Sequence, residues 1–324
     1  MKALLCTRLG SPHDLEIQDV PDPAARAGEA VVAVKAAALN FFDLLAVAGK
    51  YQVKPPLPFS PAAEFAGIIE SVGPGVADFT PGDAVIGHIP YGAARERLAV
   101  KADHLIKMPG GIGFEQAAGL SITYGTTLYA LRRRARLAPG ETLAVLGAAG
   151  GIGLAAIEIG RILGAQVIAC ASSDEKLAFA RQHGASGAVN YAKEDLKDAL
   201  RALTGGRGVN VVFDPVGGAY AESALRGMDW DGRFLVIGFA AGDAPQFPMN
   251  IVLLKNYEII GVHWGAWTEQ NRAEHRADMT QILSWGAEGL LSAHVHAVYP
   301  LTRAVEAFED ISGRKAMGKV ILCP

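Results

Sequence analysis

This chain has little cysteine, no long hydrophobic run and no large surplus of charge of either sign, and each shortage removes a class of protein. Its 324 residues include only Cys6, Cys170 and Cys323, too far apart in sequence to imply a disulfide framework. No run of about 18 apolar residues occurs, because Glu158 and Arg161 interrupt the longest candidate. The start, Met1-Lys-Ala-Leu-Leu-Cys6, passes directly into strand-like sequence without the layout of a signal peptide. A formal net charge of −3 with no basic stripe speaks against nucleic acid as a partner. The expectation is a cytoplasmic globular protein that binds neither membrane nor nucleic acid. Its length suits two domains.

Glycine is what the chain has in quantity, and its placement is informative. Leu143 to Leu146 reads as a buried strand that breaks at once into Gly147, Gly150, Gly151 and Gly153. A helical pattern follows (Leu154, Ile157, Ile159, Ile162, Leu163), and then a second apolar strand, Gln166 to Ala171. Strand, glycine turn, helix, strand is the context in which such a fingerprint signals dinucleotide binding. Residues without Cβ let backbone N–H groups approach a pyrophosphate, and the helix N-terminus adds partial positive charge. The expected cradle is Ala149, Gly150, Gly151, Ile152 and Gly153. The plainer alternative is a structural βαβ unit whose glycines only close a turn.

Ahead of the fingerprint, short apolar runs at Ala30–Ala36, Ala66–Val72, Ala84–Ile89 and Arg97–Val100 are separated by glycine and proline turns. They predict a small barrel-like β domain, interrupted by a helix from Phe41 to Ala48. Phe114 to Arg136 reads as helical, with a break near Ser121 to Gly125. From Glu141 to Trp264 strands and helices alternate, among them a strand Val209–Asp214, a helix to about Met228 and a strand Glu258–Trp264, which predicts a doubly wound parallel sheet. The tail is expected to be a helix to Trp285, a strand to Tyr299, a helix over Thr302–Ile311 and a closing strand, Lys319–Cys323.

These features together resemble a medium-chain dehydrogenase/reductase of the zinc-independent, quinone oxidoreductase (zeta-crystallin-like) branch. The resemblance rests on Ala37-Ala-Leu-Asn-Phe-Phe-Asp43, Gly49-Lys-Tyr51, Pro55-Pro-Leu-Pro58 and Glu64-Phe-Ala-Gly67. Val72-Gly-Pro-Gly75, Pro81-Gly-Asp83, the glycine turn and Gly318-Lys-Val-Ile-Leu322 complete it. It implies a GroES-like β-barrel catalytic domain over 1–123 and 266–324, and a Rossmann nucleotide-binding domain over 124–265. Zinc-dependent relatives place metal ligands at positions matching Asn40, Ala63 and the segment Leu120–Tyr124, where this chain has no thiol or imidazole. His294 and His296 share a strand face but do not amount to a metal site. No zinc is therefore expected, and reduction of an electron-poor quinone or α,β-unsaturated carbonyl is favoured over that of a simple ketone.

The second strand ends in Ser172 and Ser173 rather than in an acidic residue, with Lys176 close behind. This pattern suits the 2′-phosphate of NADPH, although Ser172-x-x-Glu175 also reads as a helix capping box. The resemblance adds Tyr191, Gly238, Phe239 and Arg314 to the cofactor residues. It makes Asn40, Asp43, Tyr51 and Thr126 the catalytic candidates. A competing reading has Asn40 and Asp43 as the cap and first turn of the Phe41–Ala48 helix, and Thr126 as the start of its own helix. Rival functions are an acryloyl- or enoyl-thioester or unsaturated-acid reductase, and a non-catalytic NADPH- or RNA-binding protein. The apolar strand around Tyr257 to His263 is expected at a sheet edge, joining a homodimer.

Overall fold

Eleven residues, Glu29–Leu39, form the longest strand, and alanines at Ala36, Ala37 and Ala38 let it be buried near its end. The computed structural model describes residues 1–324 and divides them into two units. The first opens with β1 (Lys2–Cys6), β2 (Leu15–Asp19), β3 (Glu29–Leu39), helix α1 (Phe41–Val47), β4 (Glu64–Val72), β5 (Ala84–His88), β6 (Arg97–Lys101), β7 (Leu105–Lys107) and α2 (Phe114–Ala118). Helix α3 (Ser121–Leu128) runs into the second unit and continues as a π-helical turn, Tyr129–Arg134. The break between α2 and α3 falls at Gly119 and Leu120, not at the expected Ser121 to Gly125. Gly119 is small for a reason: a Cβ there would lie 2.9 Å from Cγ of Lys319.

The second unit continues with β8 (Thr142–Leu146), α4 (Gly151–Ile162), β9 (Gln166–Ala171), α5 (Asp174–Gln182), β10 (Gly187–Asn190), α6 (Leu196–Leu203) and β11 (Val209–Asp214). It ends with α7 (Ala219–Arg226), β12 (Met228–Val236), α8 (Met249–Lys255), β13 (Glu258–Gly261) and α9 (Trp264–Gln270). Its six strands lie in the order β10-β9-β8-β11-β12-β13, every neighbouring pair parallel, which is the doubly wound nucleotide-binding arrangement. Two expectations need correction here. Met228 begins a strand rather than ending a helix, and Trp264 opens α9 rather than closing a strand. β13 ends early because its only neighbour, β12, stops at Val236.

The chain then adds α10 (Arg272–Ala287), β14 (Val295–Pro300), α11 (Ala304–Ser312) and β15 (Lys319–Cys323) to the first unit. The return was expected at 266. It occurs at Arg272 because α9 belongs to the second unit, as does the short segment Leu290–Ser292. Ser292 is held there by Glu158 of α4, whose carboxylate also accepts from Tyr124 Oη at 2.8 Å and meets His183 Nδ1 at 3.2 Å. In the first unit the sheet runs β14-β15-β3-β4-β5-β7, with β6 on β3. Phe65, Val85, Leu105, Phe308 and Leu322 are among its core residues.

Beside this sheet lies a histidine cluster. The rings of His88 and His275 meet edge to face at 4.9 Å, and that of His104 lies 6.2 Å from His88. Arg272 of α10 approaches His104 Nε2 at 3.0 Å. Burial, reinforced by the Arg272 charge and by the repulsion that neighbouring imidazoles would feel if protonated together, pushes His88 down to about 3 and His275 to about 4, so both are neutral at pH 7. No helix is long and apolar enough to cross a membrane.

Candidate active-site groups of the two units

In the first unit, Asn40 enters α1 in extended conformation, at the N-cap position. Its carboxamide stands in a capping-box arrangement with Asp43, but its strong hydrogen bonds go elsewhere. Nδ2 donates to Glu64 Oε1 at 2.9 Å, and Oδ1 accepts from Lys319 Nζ at 2.7 Å. Lys319 Nζ also donates to Glu64 Oε1 at 2.7 Å and to the Leu39 carbonyl at 3.0 Å, which uses all three of its hydrogens. Glu64 Oε2 accepts the Ile122 N–H at 2.7 Å. The lysine and glutamate side chains are 4% and 0% exposed, so this is a dry, fully hydrogen-bonded ion pair.

Asp43 supplies the reciprocal bond of the capping box, its Oδ2 accepting the Asn40 N–H at 2.7 Å, while Oδ1 accepts the Ala62 N–H at 3.1 Å. Ala62 is left-handed, φ +63°, at a place where glycine would be unstrained, and the Asp43 bond helps to hold it there. Burial raises the Asp43 carboxyl to about 7, against the lowering influence of the Asn40 N–H and the Lys319 charge. Tyr51 stacks on Phe42 at 5.1 Å. Burial, and secondarily the Asp43 charge, raise its phenol, which stays a proton donor across neutral pH. Asn40, Asp43 and Tyr51 thus share the first unit, whereas Thr126 belongs to the second. It is interior to α3 rather than at its start.

In the second unit the glycine turn has the form that anion binding requires. Gly147 has φ +60°, and Gly150 is the N-cap of α4 with no side chain on the helix N-terminus. A Cβ on Gly153 would meet the Gly147 oxygen at 2.3 Å, so this glycine lets the helix lie against the turn. A Cβ on Gly150 would meet only that oxygen, at 3.5 Å, leaving the approach open. Ala149, Gly151 and Ile152 complete the turn and first helical residues. At the end of β9 the cap is Ser173, whose hydroxyl accepts the Lys176 N–H at 3.3 Å, which corrects the Ser172–Glu175 capping box. Asp174 is taken by Asn190 Nδ2 and Lys193 Nζ, each at 2.6 Å, and Ser172 is exposed. Tyr191 packs on Tyr220 at 4.2 Å, and Gly238 and Phe239 follow β12. Arg314 lies in the first unit, left-handed after α11.

Comparison with known proteins matches these two halves to two family models. Residues 26–110 match the alcohol dehydrogenase GroES-like domain, and 151–285 the zinc-binding dehydrogenase model. Quinone oxidoreductase-like protein 2 of Rattus norvegicus is 40% identical over 322 residues, covering 99% of this chain and 91% of that protein. The chain belongs to the medium-chain dehydrogenase/reductase family, among the quinone oxidoreductases. The solved structure of Escherichia coli quinone oxidoreductase complexed with NADPH superposes with a TM-score of 0.92 at 31% identity, covering the whole of both chains. A 2-haloacrylate reductase matches at 0.88 and 28%, covering 100% of this chain and 99% of that one.

Within this family the name of the second model raises the question of zinc, and the residues here do not fit it. Both polar ends of Asn40 are bound to Glu64 and Lys319, and Ala63 offers no donor. No cluster of three or more His, Cys, Asp or Glu side chains has a metal-holding arrangement. Two residues of the candidate site were not singled out from sequence, Glu64 and Lys319. The signal available was their presence in the family motifs Glu64-Phe-Ala-Gly67 and Gly318-Lys-Val-Ile-Leu322.

Proposed function

We propose that this protein reduces quinones or activated alkenes with NADPH and without a metal ion. The observation that carries the reading is the Asn40 carboxamide immobilised between Glu64 and Lys319, in the same unit as a Tyr51 phenol that feels the nearby Asp43 charge and is raised by burial. The glycine turn and uncapped α4 N-terminus fit a pyrophosphate. β9 is followed by Ser172 and Ser173 rather than by an acidic residue, and Asp174 beyond them is engaged by Lys193 and Asn190, which favours a 2′-phosphate over a 2′-hydroxyl. NADPH, when bound, supplies the hydride. Asn40 Nδ2 keeps one hydrogen for the acceptor oxygen, because the other goes to Glu64. Tyr51 offers a second donor to the developing oxyanion and a proton to complete the reduction.

The test is NADPH oxidation against quinones, enones, acrylates and enoyl thioesters, with and without a chelator, for wild type, Asn40→Ala and Tyr51→Phe. Each variant should lose about 10²–10³ in kcat on an enone, less on a quinone with its larger driving force, and little NADPH affinity. Wild-type kcat on both acceptors in both variants would reduce these residues to capping and packing roles. Equal efficiency with NADH, or loss of activity to the chelator, would overturn the cofactor and metal parts. The likeness to 2-haloacrylate reductase favours a second reading, in which the acceptor is an unsaturated acid or its thioester. Turnover confined to the acrylates and thioesters would select it.

A homodimer completes the proposal. β13 is a sheet edge, Ile259 on it is exposed, and Met249, Leu253 and Leu254 of the neighbouring α8 are 68%, 80% and 68% exposed. An open strand edge flanked by apolar side chains invites a second copy. Light scattering at micromolar concentration should give twice the chain mass; a monomer mass refutes the dimer.

A further inference from the structure

We infer that Lys319 is a positioning residue, one that fixes which face of the Asn40 carboxamide is left for the acceptor oxygen. The inference rests on the reading of Asn40 given above and extends it to the last strand of the fold. A carboxamide has two nearly isosteric ends, and rotation by half a turn exchanges donor for acceptor. Here the two ends face groups of opposite and unambiguous character. Lys319 Nζ, a donor only, lies 2.7 Å from Oδ1, and Glu64 Oε1, an acceptor only, lies 2.9 Å from Nδ2. The flipped amide would set its NH2 against an ammonium and its oxygen against a carboxylate, losing both bonds and gaining two repulsions. The second Nδ2 hydrogen is thereby held in one direction as a donor.

Stability alone gives a poor account of this pair. Buried ion pairs often contribute nothing over apolar residues of the same volume, because desolvation offsets their attraction. The chain nevertheless divides the three Lys319 hydrogens among Glu64, Asn40 and the Leu39 carbonyl, and it keeps Gly119 free of a Cβ where the lysine stem passes. Leu39 and Asn40, the end of β3 and the entry to α1, both receive bonds from this one ammonium.

The experiment is a double-mutant cycle on kcat between Asn40→Ala and the charge-balanced pair Lys319→Met with Glu64→Gln. Lys319→Gln, which keeps a donor toward Asn40 but leaves Glu64 without its counter-charge, is carried through the same cycle as a second probe. Melting temperatures are recorded beside KM for NADPH and kcat on an enone. Lys319→Met/Glu64→Gln is expected to lower kcat about 10–100-fold, below the loss of an entire donor, with KM for NADPH changed less than about twofold. Lys319→Gln should lose less. In the Asn40→Ala background neither change should lower kcat further, because no amide is left to orient. A full additional loss in that background, or wild-type kcat in the Lys319 variants while Asn40→Ala is impaired, overturns the role of Lys319 and leaves that of Asn40 intact. An unimpaired Asn40→Ala enzyme overturns the earlier reading instead. If the charge-balanced pair does not fold, the Lys319→Gln cycle decides by the same criteria.

Discussion

Replacing Gly153 by alanine should remove NADPH binding and lower stability together, whereas replacing Gly150 should remove binding alone. A methyl on Gly153 would come within 2.3 Å of the Gly147 oxygen and 2.8 Å of the Ala148 Cα. These are backbone atoms of a tight turn and cannot swing aside, so α4 must tilt away from β8. Forcing a methyl into such a contact costs on the order of 1–3 kcal/mol, and the displaced N–H groups no longer converge on one anion. Gly150 has φ −72°, which any residue adopts, and its added methyl would make only an ordinary 3.5 Å contact. That methyl points into the approach to the helix N-terminus, where a pyrophosphate must come close to the backbone. Gly150→Ala should therefore melt as wild type but bind NADPH about 100-fold more weakly, roughly 2.7 kcal/mol. Titration calorimetry and thermal melts separate the two. Wild-type affinity in Gly150→Ala would show that this turn cradles no phosphate.

The second large effect is acid sensitivity arising from the histidine cluster. His88 and His275 are neutral when folded, at about 3 and about 4, against an ordinary value near 6.5. A depressed histidine binds fewer protons folded than unfolded, so its contribution is complete above pH 6.5 and is lost as pH falls toward the folded value. Each group should remove about 1.4 kcal/mol of stability per pH unit across that window, roughly 2 kcal/mol by pH 5. Asp43, raised to about 7, has the opposite sign: its contribution is present below the ordinary carboxylate value and fades as pH rises through 7. The comparison to make is wild type against His88→Phe and His275→Leu, each melted at pH 7.5 and pH 5.0. The variants should lose less than wild type on acidification. Parallel melting curves would mean that these imidazoles titrate normally.

What could be read from sequence divides along the range of the interactions. The β8 strand, its glycine turn and β9 were legible because each is fixed by neighbours a few residues away. β9, β11 and β15 were found at their observed limits, Gln166–Ala171, Val209–Asp214 and Lys319–Cys323. Asn40 shows where such reading ends. Its position at the head of α1 was apparent, but the direction of its side chain is set by Glu64 and by Lys319, 279 residues away in the chain. The local pattern Ser172-x-x-Glu175 fitted a capping box, yet the helix starts one residue later at Ser173. Trp264 extended an apolar run and was read as strand; whether a strand continues depends on a neighbour to pair with, and β12 had already ended. Helix α8, Met249–Lys255, escaped because its exposed face is apolar rather than polar, which erases the contrast on which periodicity depends.

The order of segments along the chain bears on its synthesis. The second unit is almost continuous, Thr123–Asn271, so its parallel sheet is complete while the ribosome is still making the rest. The first unit must wait. The last residues of β3, Ala37–Leu39, gain a second partner only when Val320, Ile321 and Leu322 of β15 emerge, and Glu64 gains its counter-charge in the same few residues. Until then the nascent N-terminal segment carries an unpaired strand edge and an uncompensated buried carboxylate, the exposed state that folding chaperones recognise. Messages truncated near their end would thus yield a finished nucleotide-fold half attached to an unfinished barrel.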